Sequence, residues 1–173
     1  MYLMDADSGS AMWASDDQKP APWTAAYVPK TSGSREAPFL WSYGNTPKWL
    51  GHAEPLPVSP PRIDLPESRS DGDATVVKVR VASPRREQVI TLNTDRPVQN
   101  AIITADGEPP ATASPSHPDD AGMRLWPYEL RFYDPPADGF VTTLRLPGAG
   151  LPWIYVSDYT GPRTGIRVQA AAS

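Results

Sequence analysis

Residues 75–81 read Thr75-Val76-Val77-Lys78-Val79-Arg80-Val81. Successive side chains of an extended chain point to opposite faces, so Val77, Val79 and Val81 fall on one face and Val76, Lys78 and Arg80 on the other. This pattern predicts a strand with one face in a core and the other toward solvent. Downstream, a break at Ser83-Pro84-Arg85 precedes an apolar stretch at 88–93, the turn Thr94-Asp95-Arg96-Pro97 and a strand at 98–105. Further strands are predicted at 123–133 with Leu125, Leu130 and Phe132 inward, and at 140–146 with Val141, Leu144 and Leu146 inward. The last two lie at 152–157, which carries Trp153, Ile154, Tyr155 and Val156, and at 165–169, which carries Ile166 and Val168. Residues 106–122 lack periodicity and read as a long surface loop. About seven short strands with no amphipathic helix of about ten residues between them exclude crossover connections. The expected fold is therefore all-β, a mostly antiparallel sandwich of about seven to nine strands once the N-terminal region is added.

That region differs in character. The chain has 173 residues with 22 Pro and 12 Gly, and residues 1–66 hold four of the six Trp among Pro, Gly, Ser and Asp. Strands at 1–4 and 11–14 around Asp5-Ala6-Asp7-Ser8-Gly9 read as a hairpin. Residues 16–27 admit a helical turn or two, with Pro22 near its start and Trp23 buried. Residues 55–66 are too Pro-rich for a helix or a central strand and should run extended, as a link to the main strands. We expect one domain over 1–173, with an irregular Trp/Pro-rich part at 1–66 and the main sandwich at 67–169.

Composition narrows function. The net charge is −4 and no block of Lys or Arg is present, which argues against nucleic acid as a partner. Cys is absent, so the chain has no thiol nucleophile, thiolate site or disulfide framework. No apolar run approaches the length of about 18 residues that a membrane helix needs, and the first residues do not read as a signal peptide. The two His, His52 and His117, stand in loop-like sequence without a second ligand at helical spacing, and are read as solvated. Asp5, Asp7, Asp16 and Asp17 lack the Gly and bidentate Glu of a calcium loop and are read as turn carboxylates. No Gly-x-Ser-x-Gly elbow occurs. No catalytic residue, metal ligand or cofactor is expected, and the chain is not expected to act as an enzyme.

The aromatic content is the strongest positive feature, with six Trp and seven Tyr. Core packing is the first reading, since rings bury large areas where regular elements are short. The alternative is a carbohydrate- or peptide-binding platform of Trp23, Trp41, Tyr43 and Trp49, because exposed rings stack on sugars and on proline-rich peptides. Tyr159 and Arg163, in a segment rich in donors and acceptors at 157–165, complete the candidate surface. A monomer is expected, because the many prolines and the charges of Arg80, Arg131 and Arg145 discourage edge-to-edge pairing.

Three groups of motifs share an order with a known family. They are Asp5-Ala6-Asp7-Ser8-Gly9-Ser10-Ala11-Met12-Trp13-Ala14-Ser15 with Trp23-Thr24, then Val79-Arg80-Val81-Ala82-Ser83-Pro84-Arg85, then Pro135-Pro136-Ala137-Asp138-Gly139 between the strands that begin at Trp126 and end at Asp158. Together they resemble the C-terminal extracytoplasmic domain of bacterial multi-pass membrane zinc aminopeptidases, relatives of the endoplasmic-reticulum metallopeptidase and the vacuolar membrane protease. The ending at 159–165 departs from the Ser-Gly-Leu-Pro type of that domain. The resemblance implies a non-catalytic accessory domain whose partners are the peptidase and membrane portions of the same polypeptide. It implies an extracytoplasmic location, tethered through membrane helices, with the zinc ligands outside this sequence.

Overall fold

The strand predicted at 75–81 forms as β6 (Ala74–Ala82), the second strand of a hairpin with β5 (Arg62–Asp71). Gly72 closes this hairpin at φ +65°, a left-handed conformation that glycine adopts without cost at the first turn position. The computed structural model of the chain describes residues 2–5, 8–15, 17–29, 34–35, 48–85, 89–114, 126–159 and 164–169. The other described elements are β1 (Tyr2–Asp5), β2 (Ser10–Ser15), the single turn α1 (Pro22–Ala25), β3 (Ser34–Arg35), β4 (Lys48–Ala53), β7 (Val89–Thr94), β8 (Asn100–Thr104), β9 (Ala111–Ala113), β10 (Tyr128–Tyr133), β11 (Phe140–Pro147), β12 (Ile154–Tyr159) and β13 (Thr164–Gln169).

Two sheets result. A five-stranded sheet runs β5-β6-β11-β8-β9, and an eight-stranded sheet runs β10-β7-β12-β13-β1-β2-β4-β3. The paired strands are antiparallel except β1 and β13, which run parallel with Tyr2 opposite Thr164 and Asp5 opposite Arg167. The sheets pack face to face through one apolar layer. Val77, Val79 and Val81 of β6 and Phe140, Leu144 and Leu146 of β11 meet Ile90 and Leu92 of β7, Leu130 of β10, and Ile154 and Val156 of β12. The fold is thus an all-β sandwich, as the alternation predicts.

Several expectations are corrected. Residues 62–66 belong to β5 rather than to a linker, and β5 tolerates Pro66 because it is an edge strand whose register shifts between Asp64 and Glu67. Within the predicted loop at 106–122, β9 forms and pairs with β8, covering that edge of the smaller sheet. Val141 faces outward and Thr142 takes the core position, since only Phe140, Thr142, Leu144 and Leu146 share parity on β11. Leu130 and Phe132 do face the core, whereas Leu125 lies outside the described residues. The predicted hairpin of the first residues forms as β1 and β2, with Gly9 at φ +65°.

Polar contacts tie one end of the sandwich. The Arg96 guanidinium donates to the carbonyls of Pro147, Ala149 and Gly150 at 3.2, 3.2 and 2.6 Å. Asp95 accepts from the Trp153 amide at 2.9 Å, so the turn after β7 is fastened to the connection between β11 and β12. At the other end of β11, Gly139 sits at φ +86° and donates to the Pro136 carbonyl at 2.9 Å. A Cβ there would run into the Val81 carbonyl, whereas one at Gly150, φ +84°, would meet open space.

These positions separate two costs. Gly150→Ala should destabilise by about 1 kcal/mol from backbone conformation alone, and Gly139→Ala by about 3 kcal/mol because collision with β6 is added. Urea unfolding of the two variants measures the difference, and equal costs would mean that the β6 contact is not tight.

Tyr128 supplies a second test. Its hydroxyl is buried in the core layer without a hydrogen-bond partner among the described residues, and burial pushes the phenol up to about 12. The folded value lies above the unfolded one of about 10, so the folded state holds the proton more tightly. That contribution is whole below pH 10 and is lost as the pH rises toward about 12. Tyr128→Phe should lie within about 1 kcal/mol of wild type at pH 7 and lose this alkaline decline, as chemical unfolding across pH 8–12 would show.

Candidate functional site

Two exposed aromatic side chains, Trp23 and Tyr27, gather with the half-buried Trp13 where the larger sheet extends past the smaller one, whereas the exposed Tyr133 and Trp153 lie outside this group. On β2, Ala11, Trp13 and Ser15 share one face. Register places Tyr2 of β1 and Gly51 of β4 on either side of Trp13, and Trp49 beside Ser15. The Tyr2 ring meets Trp13 edge to face with centroids 5.4 Å apart. Its hydroxyl donates to the Glu54 carbonyl at 3.0 Å and accepts from the Leu56 amide at 2.9 Å, which holds the chain leaving β4.

Gly51 decides what lies on the other side of Trp13. The carbonyl of Tyr27 packs so close to Gly51 that a Cβ there would collide with it. Only glycine lets the segment after α1 lie directly on the sheet. Pro22 opens α1 at a position where a missing N–H is harmless, and the turn is completed by Ala25 donating to the Ala21 carbonyl at 2.8 Å. Val28, 1% exposed, anchors the segment through its side chain and through its amide, which donates to the Thr24 carbonyl at 3.1 Å. Tyr27 is thereby set against Trp13, centroids 5.3 Å apart and planes inclined by 59°.

The result is a cleft of about 520 Å³, within the usual range for small-ligand sites. Trp13, Trp23 and Tyr27 supply its rings, Ser15, Asp17 and Thr24 its polar groups, and Ala14 and Val28 complete the lining. Trp23 is 74% exposed and Tyr27 53%. Asp17 is exposed, and its carboxylate accepts from the Ser15 hydroxyl at 2.9 Å.

Of the candidates named from the sequence, the cleft includes Trp23 alone. The expectation that Trp23 is buried is corrected, because α1 is a single turn that buries none of its own residues. Trp49 is half-buried on β4, on the same face as Trp13 but outside the lining. Trp41, Tyr43 and Arg163 lie outside the described residues, as does the side chain of Tyr159, the last residue of β12. Sequence reasoning missed Trp13 and Tyr27 as site residues and read Asp17 as a turn carboxylate. The signal for Trp13 is the short alternation of β2, which places it on one face with Ala11 and Ser15. Tyr27 has no periodic signal, because its position is decided by Gly51, more than twenty residues on in the chain.

Elsewhere, His52 stands on strand β4 rather than in a loop, with its ring exposed and Nε2 3.4 Å from Glu54 Oε1. His117 is outside the described residues. Among the described residues no group of three or more His, Cys, Asp or Glu converges. On the outer face of the larger sheet, Trp126 packs on Tyr155 with centroids 4.0 Å apart, and Arg131 pairs with Glu129 at 2.8 Å. Comparison with known proteins finds no matching family model, no matching curated protein and no matching solved structure.

Gly51→Ala should displace the 27–29 segment and open the angle between Trp13 and Tyr27. The expected readout is a shift of the Trp13 indole N–H resonance in a two-dimensional NMR spectrum, with the sandwich core resonances unchanged. An unaltered indole signal would mean that the Tyr27 contact does not position the rings.

Proposed function

We propose that this chain is a non-catalytic accessory domain that works by binding. This is the role implied by its resemblance to the extracytoplasmic C-terminal domain of membrane-anchored zinc aminopeptidases. On this reading its partners are the peptidase and membrane portions of the same polypeptide, and it acts as a monomeric unit that packs on the peptidase or shapes access to it. The observation that supports binding is the open cleft, in which two large rings stay exposed although their burial would stabilise the fold by about 2 kcal/mol each. A surface that retains such rings beside polar groups has the composition of a recognition site.

A second reading, a free-standing carbohydrate- or peptide-binding module, is favoured by the exposure of Trp23. Of the rings first assigned to it, Trp23 stands in the cleft, and Trp13 and Tyr27 join it.

Both readings expect no hydrolysis. The purified chain, incubated with zinc and an aminoacyl p-nitroanilide, should release no nitroaniline above background. Release that a chelator abolishes would overturn the non-catalytic assignment. Binding is tested by calorimetric titration with cellohexaose and with a proline-rich decapeptide. Saturable binding to either, weakened at least 5-fold by Trp23→Ala, would favour the free-standing module.

A further inference from the structure

We infer that the cleft of Trp13, Trp23 and Tyr27 is a site for an organic ammonium cation. The inference rests on the reading of the chain as a binding domain and names the ligand's chemistry. Three features of the cleft converge on positive charge.

The first is the arrangement of the rings. Sugars favour a flat platform, but the planes of Trp13 and Tyr27 meet at 59° with centroids 5.3 Å apart, forming a corner. The face of an aromatic ring carries negative potential, and rings inclined to one another around a cleft can each offer a face to a cation within it. An ammonium group attached to apolar carbon matches that volume, since its charge meets the ring faces and its carbon meets the apolar lining.

The second feature is Asp17. Its carboxylate is oriented by the Ser15 hydroxyl at 2.9 Å and its own amide donates to the same Oγ at 3.3 Å. Among the described residues that line the cleft there is no Lys, Arg or His, and the charged one is the carboxylate of Asp17. Among the described residues no cation pairs with Asp17. A cation in the cleft meets this carboxylate as well as the rings, which a neutral sugar or a proline ring cannot do.

The third is size. A cleft of about 520 Å³ takes a trimethylammonium group or a lysine side chain with room for the atoms that carry it. The shared chemistry is thus a primary or quaternary ammonium on an aliphatic stem, drawn either from a peptide's lysine or from a choline-type headgroup.

The test uses the whole chain and four probes followed by calorimetry and by the indole N–H resonances. These are choline, its uncharged isostere 3,3-dimethyl-1-butanol, N-acetyl-lysine amide and cellohexaose. Choline or the lysine derivative should bind saturably at millimolar concentration, and the stronger of the two identifies the source. The uncharged isostere should bind at least 5-fold more weakly. Asp17→Asn keeps an acceptor for Ser15 while removing the charge, and should weaken the cation about 5-fold, as should Trp23→Ala. Equal binding of choline and its isostere, or an unchanged affinity in Asp17→Asn, would overturn the inference. Binding of cellohexaose without either cation would overturn it while leaving the binding reading intact. Failure of these probes, and of the proline-rich peptide, to bind at all would remove both.

Discussion

The architecture depends on a mismatch between its two sheets. The parallel pairing of β1 with β13 joins the first strands to the last and makes one sheet of eight, whereas the sheet that covers it has five. The shared core draws on β6, β8 and β11 from one side and on β7, β10 and β12 from the other, and among the described residues on none from β1 to β4. Strands past the cover still have two faces, and each must find its own burial. Leu3 and Ala14 cluster with Met12 and Leu50 on one face, and Tyr2, Ala11 and Ala53 with Met4 and Trp13 on the other. These clusters are small, so a single helical turn and large rings supply the cover that a second sheet supplies elsewhere. The cleft lies where that improvised cover is incomplete.

Within the covered half, apolar burial is dense enough for polar groups to be used as fasteners. Thr142, in the centre of β11 between Val79 of β6 and Ile103 of β8, is fully buried with its hydroxyl unpartnered among the described residues and fastens nothing; the fasteners lie at the end of the sheet. Arg96 satisfies three loop carbonyls at once, and Arg145 joins Gln99 at 2.7 Å to Asp71 at 3.4 Å across the same end of the smaller sheet. Each exposed ion pair is worth little by itself, about 0–1 kcal/mol. The Arg96 contacts differ because two of the three carbonyls, those of Ala149 and Gly150, lie in the turn beyond the end of β11, where no strand among the described residues supplies a donor.

The degree to which the sequence announces this structure follows the length of its patterns. Val77, Val79 and Val81 repeat with period two and mark β6 without ambiguity, and the turn at Thr94-Asp95-Arg96-Pro97 separates β7 from β8 as its chemistry requires. Pro66 misleads because proline excludes a central strand, not an edge strand with a register shift. Val141 misleads because it is more hydrophobic than Thr142, while Thr142 keeps the parity of Leu144 and Leu146. The cleft is the least legible part. Trp23 is visible as an aromatic beside prolines, but its exposure depends on where Tyr27 and Val28 are seated, and this depends on the missing Cβ of Gly51. A contact between a carbonyl and an absent side chain leaves no periodic trace.

The same origin explains why the rings suit recognition. The segment that carries Trp23 and Tyr27 has Pro20 before its turn, Pro22 at the start of it and Pro29 after it, with Val28 buried. Proline limits the conformations open to the backbone, so the turn has lost much of its freedom before any ligand arrives. Gly51 fixes the height of the segment above the sheet and Tyr2 backs Trp13 from the opposite side. On the proposed binding role a ligand would meet rings whose backbone supports are already ordered, and the entropy cost would fall on the ligand and on the exposed Trp23 and Tyr27 side chains. The incomplete cover leaves these rings in water, and the prolines, Gly51 and Tyr2 hold them in place, which is the arrangement the proposed binding role requires.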